Sequence, residues 1–224
     1  MTAARGLQEG MRLSRAEFER RCAERPDLKK VELIDGVVRM PSAVRYAAHG
    51  RPHGAIVGWL FAYAASTPGV HVIDNTTLRL DRDNELQPDA ALLIEPGAGG
   101  QSQVGADDYI EGAPELVAEV AASSASHDLG DKLRVYQRNR VREYLVWHVA
   151  DGRIDWFELT SAVYRRRSAD AAGVVRSTVF PGLWLDTGAM LRGDHPAVLR
   201  TLRRGIADPG HAAFASRLAD AQSS

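Results

Sequence analysis

"GAPELVAEVAASSASHDLGDKLRVYQRNRVREYLVWHV", Gly112 to Val149, is the stretch from which the fold can be read. Leu116–Ala121 is a short, mostly apolar run opened by a Gly-Ala-Pro turn signal, which is the pattern of a buried β-strand. "SHDLGDKLRVYQRN" then places Leu129, Leu133 and Tyr136 on one helical face. "REYLVWHV" returns to a strand pattern. Glu119 breaks the apolar run. An unpaired carboxylate inside a sheet core is destabilising by several kcal/mol, so Glu119 needs a partner, a metal or a chemical task. Alternation puts it on the face of Val117 and Ala121, opposite Leu116, Ala118 and Val120.

Working outward, "LSRAEFERRCAE" opens with Ser14 as N-cap and Glu17 three residues later, and predicts a helix ending near Glu24, before Pro26. "VELIDGVVRM" is two strand-like runs around Asp35-Gly36, a hairpin signal. "RYAAHGRPHG" reads as a loop, and "AIVGWLFAYAAS" as a buried helix stopped near Thr67-Pro68-Gly69. "VHVI", "TTLRLD" and "QPDAALLIE" read as strands, and "PGAGGQSQVGADD" as a surface loop. After Gly112–Val149, "GRIDWFEL", "AVYRRRS" and "VVRSTVF" are further strands, with helical material from "AMLRG" onward. The order predicts a mixed α/β domain on a mixed or largely antiparallel sheet. No GxGxxG or GxxxxGK[ST] motif is present, which argues against dinucleotide-binding and P-loop folds.

The chain has 224 residues, a formal net charge of −1 and a single cysteine, Cys22. One domain with a substantial core fits that length. One cysteine excludes an internal disulfide and any CxxC metal site. Near-neutral charge means that binding to nucleic acid would need a local patch. The N-terminus lacks the apolar core of a signal peptide, and "AIVGWLFAYAA" is too short to span a bilayer. These features predict a soluble, cytoplasmic protein with no membrane partner.

Three acids sit at strand or strand-end positions among apolar neighbours: Glu32, Asp89 and Glu119. Asp128, Lys132 and Tyr136 share one face of the helix that follows Glu119. Mg²⁺ prefers hard oxygen ligands, a few of them carboxylates, with the rest water. Asp89 and Glu119 on neighbouring strands would supply them, and a nearby lysine can orient a metal-bound water. These are the parts of a metal-assisted phosphodiester hydrolase. Taken singly, each residue has a plainer reading: Asp89 as a turn residue, Asp128–Lys132 as a surface ion pair, Glu32 on a hairpin edge.

Five ordered pieces carry a resemblance: "FERRCAERPDLKKVELIDGVVRM", "HGAIVGWL", "LQPDAALLI", the Gly112–Val149 stretch and "GRIDWFEL". With these the chain resembles the Uma family of putative restriction endonucleases, a bacterial branch of the PD-(D/E)xK nuclease superfamily. The pieces span roughly residues 13–159, and the family's length would carry the domain to about residue 190. The division this implies is a flexible tail over 1–10, a restriction-endonuclease-like domain over 11–190 and a C-terminal helical extension over 191–224. The resemblance implies a mixed central sheet flanked by helices, with additional antiparallel strands. It implies Asp89 and Glu119 as metal ligands and catalytic acids, Glu32 as an assisting catalytic acid, and Mg²⁺, or Mn²⁺ as its substitute. The superfamily's lysine usually stands two residues after the second acid, where this chain has Ala121; the resemblance points instead to Lys132. His53, Asp128 and Tyr136 match recurrent supporting positions, His53 with a capping, phosphate-contact or structural role. The chain departs from the family in "AASSAS", where a proline usually follows the second acid, and in "HVADGR", where Asp-Pro is frequent.

The expected activity is Mg²⁺-dependent endonucleolytic cleavage of DNA by a homodimer, since two sites suit the cutting of two strands. Arg134, Arg138 and Arg140 are candidate phosphate contacts, or simply a solvated face. Alternatives are a degenerate nuclease fold serving as a DNA-binding or regulatory module, a metal-dependent hydrolase of small phosphodiesters, and a structural protein with buried ion pairs.

Overall fold

The structure, a computed structural model, describes residues 6–40, 43–122 and 127–222, the side chains of 127–129 excepted. Helix α1 (Arg15–Ala23) starts where expected: Ser14 Oγ accepts the Glu17 N–H. Strands β1 (Glu32–Ile34) and β2 (Val37–Arg39) form the predicted hairpin. Its turn residues Asp35 and Gly36 have φ of 49° and 72°, the left-handed pair that a type I′ turn requires.

The segment read as a loop, residues 45–54, is helical from Tyr46 onward. A wide π turn over Tyr46–Gly50 runs directly into α2 (Arg51–Ala64). Pro52 has no N–H to give to residue 48, and the Gly50 amide reaches back to the Arg45 carbonyl, a five-residue step. Then come β3 (Val70–Asp74), β4 (Leu78–Asp81), β5 (Asn84–Leu86) and β6 (Ala90–Ile94). Two short strands, β7 (Gln103–Val104) and β8 (Ile110–Glu111), occupy the Gly- and Ser-rich stretch and its exit. The Gly112–Val149 stretch gives β9 (Leu116–Ala121), α3 (His127–Arg138) and β10 (Glu143–His148). The chain ends with β11 (Arg153–Thr160), β12 (Val163–Arg166), β13 (Val174–Arg176), β14 (Trp184–Asp186), α4 (Thr187–Arg192), α5 (His195–Ile206) and α6 (Pro209–Gln222).

The main sheet has the order β12-β11-β10-β9-β6-β3. Within it β9 and β10 are parallel and the other neighbours antiparallel. Helix α3 is therefore the crossover of a β-α-β unit, which fixes it over one face of the sheet. A second mixed sheet, β2-β1-β5-β4-β8-β7, lies on that same side, and β13 pairs with β14 separately.

The alternation read for β9 divides the core as predicted. Leu116, Ala118 and Val120 join α2, α5 and α6 in one apolar cluster through Trp59, Tyr63, Leu202 and Phe214. Val117 faces Val135, Tyr136 and Tyr144 in a second cluster, closed by Ile34, Leu78 and Leu86 of the smaller sheet. A third groups Leu7, Phe18, Leu33 and Val38. Residues 1–5 of the expected tail lie outside the described residues, while Leu7 is buried and Gly10 donates to Val38. Within 191–224, Val198, Leu202, Phe214 and Leu218 enter the first cluster.

Candidate active site

The two sheets and α3 bring five of the sequence-predicted residues together. Strands β6 and β9 run antiparallel with Ala90 opposite Ala118, so Asp89, just before β6, falls opposite Glu119. Asp89 Oδ2 accepts the Val120 N–H at 2.8 Å, which pins its side chain across the two strands. Val117, Glu119 and Ala121 face α3, and Lys132 reaches down from that helix. Its Nζ lies 2.9 Å from Glu119 Oε1 and 2.9 Å from Glu32 Oε1. The Tyr136 hydroxyl, one turn later, donates to the same Glu119 oxygen at 2.9 Å. Glu32 Oε1 also accepts the Gln87 N–H at 2.8 Å, which ties β1 to the segment leading into Asp89.

All of these groups are nearly enclosed: Glu32, Asp89, Glu119 and Lys132 are each less than a tenth exposed. Burial raises the Glu119 carboxyl to about 7, opposed by Lys132 and aided by the negative charges of Asp89 and Glu32. Burial also works against the Lys132 ammonium, but Glu119 and Glu32 outweigh it, and Lys132 is held above its ordinary value. Lys132 is therefore the member of the pair that keeps its proton. Burial, then the Glu119 and Glu32 charges, push the Tyr136 hydroxyl far up, so it serves as a donor. Asp89 behaves oppositely. Burial would raise it, yet His49, Lys30 and the Val120 amide hold it well below the usual carboxylate range.

Two participants were not singled out from sequence. Lys30 Nζ lies 2.6 Å from Asp89 Oδ1, and His49 Nε2 lies 3.4 Å from the same oxygen. His49 Nδ1 is 3.2 Å from the Val120 carbonyl, and its contact with Asp89 raises its pKa against the opposing effect of burial. The signal for His49 was its place four residues before His53, one helical turn away. The two rings stack at 5.5 Å. Lys30 carried no pattern at all. His53, an expected supporting residue, contacts the Asp89 carbonyl oxygen and Asp74 Oδ1, both at 2.9 Å from Nε2. It touches the backbone of Asp89, not the carboxylate. The side chain of Asp128 lies outside the described residues.

The arginines are exposed and stand apart from this cluster. Arg134 pairs with Asp131, and Arg138 pairs with Asp35 at 2.6 Å. Arg140 has a φ of 63° and offers its carbonyl to Gln101.

Among the described residues no three His, Cys, Asp or Glu side chains stand as a ready-made metal cluster. The donor chemistry nevertheless fits a hard divalent cation. Asp89 and Glu119 are buried oxygen donors on adjacent strands, and one Asp89 oxygen already faces the Lys30 ammonium and the His49 ring. A dication could take over the compensation of that oxygen.

The fold and this acid–lysine grouping define a class: a mixed α/β domain with a nuclease fold. A crystal structure described as a putative nuclease belonging to DUF820, from Anabaena variabilis ATCC 29413, superposes with a TM-score of 0.57 at 11% identity, covering 72% of this chain and 90% of that one. At that identity the likeness is one of fold. The family model Uma2, Putative restriction endonuclease, matches residues 15–188, and the chain belongs to this family. No curated protein matches the chain. Among the described residues, no helix is long and apolar enough to cross a membrane.

Proposed function

We propose that this protein is a metal-dependent endonuclease that hydrolyses phosphodiester bonds in DNA. The observation that carries the proposal is the buried Lys132 ammonium bridging Glu119 and Glu32, with Asp89 locked beside them by the Val120 amide. Asp89 and Glu119 would hold Mg²⁺, or Mn²⁺ in its place, which when bound supplies Lewis acidity toward a phosphate and lowers the pKa of water. Lys132 uses two of its three N–H donors on carboxylates and offers the third to a water or a phosphate oxygen. Tyr136 fixes the Glu119 rotamer. Glu32 holds Lys132 and, through the Gln87 amide, the approach to Asp89. His53 holds the Asp89 backbone. Arg134, Arg138 and Arg140 lie on the outer side of α3 and beyond its end, where a DNA backbone would pass.

The test has two arms. Calorimetric titration of the wild type with Mg²⁺ and Mn²⁺ should show binding that Asp89→Ala abolishes. Nicking of plasmid DNA should require the metal and be lost in Glu119→Gln. A wild type that binds neither ion, or one whose binding survives Asp89→Ala, removes the metal site. One observation favours the small-substrate alternative: Arg134 and Arg138 are already neutralised by Asp131 and Asp35. Turnover of small phosphodiesters without any cleavage of DNA would decide for it. A homodimer carrying two such sites would show as twice the chain mass in sedimentation.

A further inference from the structure

Lys132 accounts for one lysine at the site, and the second, Lys30, has no role in the scheme above. Its backbone sits at φ 55°, a left-handed conformation that a lysine rarely adopts. That turn aims its stem at Asp89, where Nζ meets Oδ1 at 2.6 Å. The lysine side chain is 25% exposed and the aspartate 3%, so the ammonium enters the site from its open rim. Lys30 also lines an open cavity of about 460 Å³ with Thr77, Gln87 and Tyr109, which gives its stem room to swing. Asp89 Oδ2 is engaged by the Val120 amide, so Oδ1 is the oxygen left for a cation. Lys30 occupies it. His49 approaches the same oxygen, but it contacts the Val120 carbonyl and stacks on His53, which makes Lys30 the freer of the two.

We propose that Lys30 is a second active-site lysine with two positions. Without a metal, its ammonium neutralises the buried Asp89 carboxylate. A divalent cation held by Asp89 would displace Lys30, whose ammonium would then contact a non-bridging oxygen of the scissile phosphate. This rests on the metal-dependent reading given above. The physical reasons are direct. A buried carboxylate needs a compensating charge, and the dication supplies it in place of the lysine. An ammonium next to a dication is repelled from it. With substrate bound, the scissile phosphate would compete for the ammonium with Glu19 and Glu85, which line the same cavity, and an ammonium on the phosphate would offset the charge that builds in the transition state.

The inference predicts effects of opposite sign in one variant. Lys30→Met removes the competitor for Asp89, so Mg²⁺ and Mn²⁺ should bind severalfold more tightly by calorimetry. It also removes the phosphate contact, so DNA cleavage at saturating metal should fall on the order of a hundredfold. Lys30→Arg should keep metal affinity near wild type and retain most of the cleavage. Should Lys30→Met fold poorly, Lys30→Gln, which keeps a polar tip, replaces it with the same two expectations. Metal affinity unchanged or weakened in these variants overturns the inference. Tighter metal binding with undiminished cleavage also overturns it, since Lys30 would then be a charge placeholder only. Both outcomes leave the metal site intact provided that wild type binds the ion and Asp89→Ala does not. A wild type that binds no metal refutes the metal-dependent reading and this inference with it.

Discussion

Glu119→Gln tests the electrostatics of the site without any substrate. The carboxyl rises from an ordinary 4.5 to about 7, first through burial and then through Asp89 and Glu32. Those values lie about 2.5 pH units apart, each worth about 1.4 kcal/mol, so proton binding by Glu119 is linked to stability on the order of 3 kcal/mol. The sign follows from the direction. A carboxyl raised on folding binds its proton more tightly in the native state, so its contribution is full below about 4.5 and is lost as pH rises through about 7. Glutamine keeps the size and an acceptor for Lys132 and Tyr136 but does not titrate. The stability difference, wild type minus variant, should therefore fall by on the order of 3 kcal/mol from acid to alkaline pH, most of it between pH 5 and 8. Effects common to both proteins cancel in that difference. Glu85, raised to about 7 chiefly by burial, is one of them. Asp89 interacts with Glu119, but its depressed pKa matters only near and below its ordinary 3.8, outside the window of the Glu119 change. The assay is urea denaturation in chelator-containing buffer at closely spaced pH values. Parallel stability profiles for the two proteins would refute the reasoning, because Glu119 would then bind its proton no more tightly in the folded chain than in the unfolded one.

Tyr136→Phe removes the only described hydroxyl donor to Glu119 at the cost of about 1–2 kcal/mol, read by denaturant midpoint at pH 8. Gly205→Ala should destabilise by about 1–3 kcal/mol or more in thermal unfolding, because its Cβ would stand 2.2 Å from the Gly182 carbonyl where α5 meets the loop after β13. If Arg134 and Arg138 contact DNA, replacing both with glutamine should reduce the slope of log affinity against log salt by about 2, with little change in metal affinity. An unchanged slope places the DNA elsewhere on the surface.

Local chemistry was legible in the sequence where a single short signal decides the outcome. Ser14 caps α1, Asp35-Gly36 turns the hairpin, and the alternation in Leu116–Ala121 sorts Glu119 from the apolar face. The grouping of Glu32, Asp89, Glu119 and Lys132 was legible only as a set, helped by resemblance. Pairing was less so. The parallel register of β9 and β10 depends on α3 crossing over between them, and nothing within either strand specifies it. Strands β5, β7 and β8 have two or three residues each, too few for alternation to show, and they are held by the hydrogen bonds of the smaller sheet. His49 and Lys30 were missed because their roles arise from long-range contacts with Asp89, forty and fifty-nine positions away in sequence. An ion pair of that kind leaves no local period to detect.

The placement proposed for Lys132 shows why spacing alone is a weak guide to such a site. What the proposed chemistry requires is an ammonium beside the second acid, not a lysine two residues after it. Ala121 lies on the same face as Glu119 and is small, so the space a lysine there would fill is open to a side chain from above. The crossover helix between two parallel strands must pass over that face. Lys132 and Tyr136, one turn apart on α3, then both point at Glu119 Oε1. The helix brings a second advantage: Lys132 reaches Glu32 on the neighbouring sheet at 2.9 Å, which a side chain rising from β9 would have to cross the layer to do. A lysine on α3 thus couples the two sheets through a single buried charge. The acids can be pinned by their strands while the ammonium is positioned by tertiary packing.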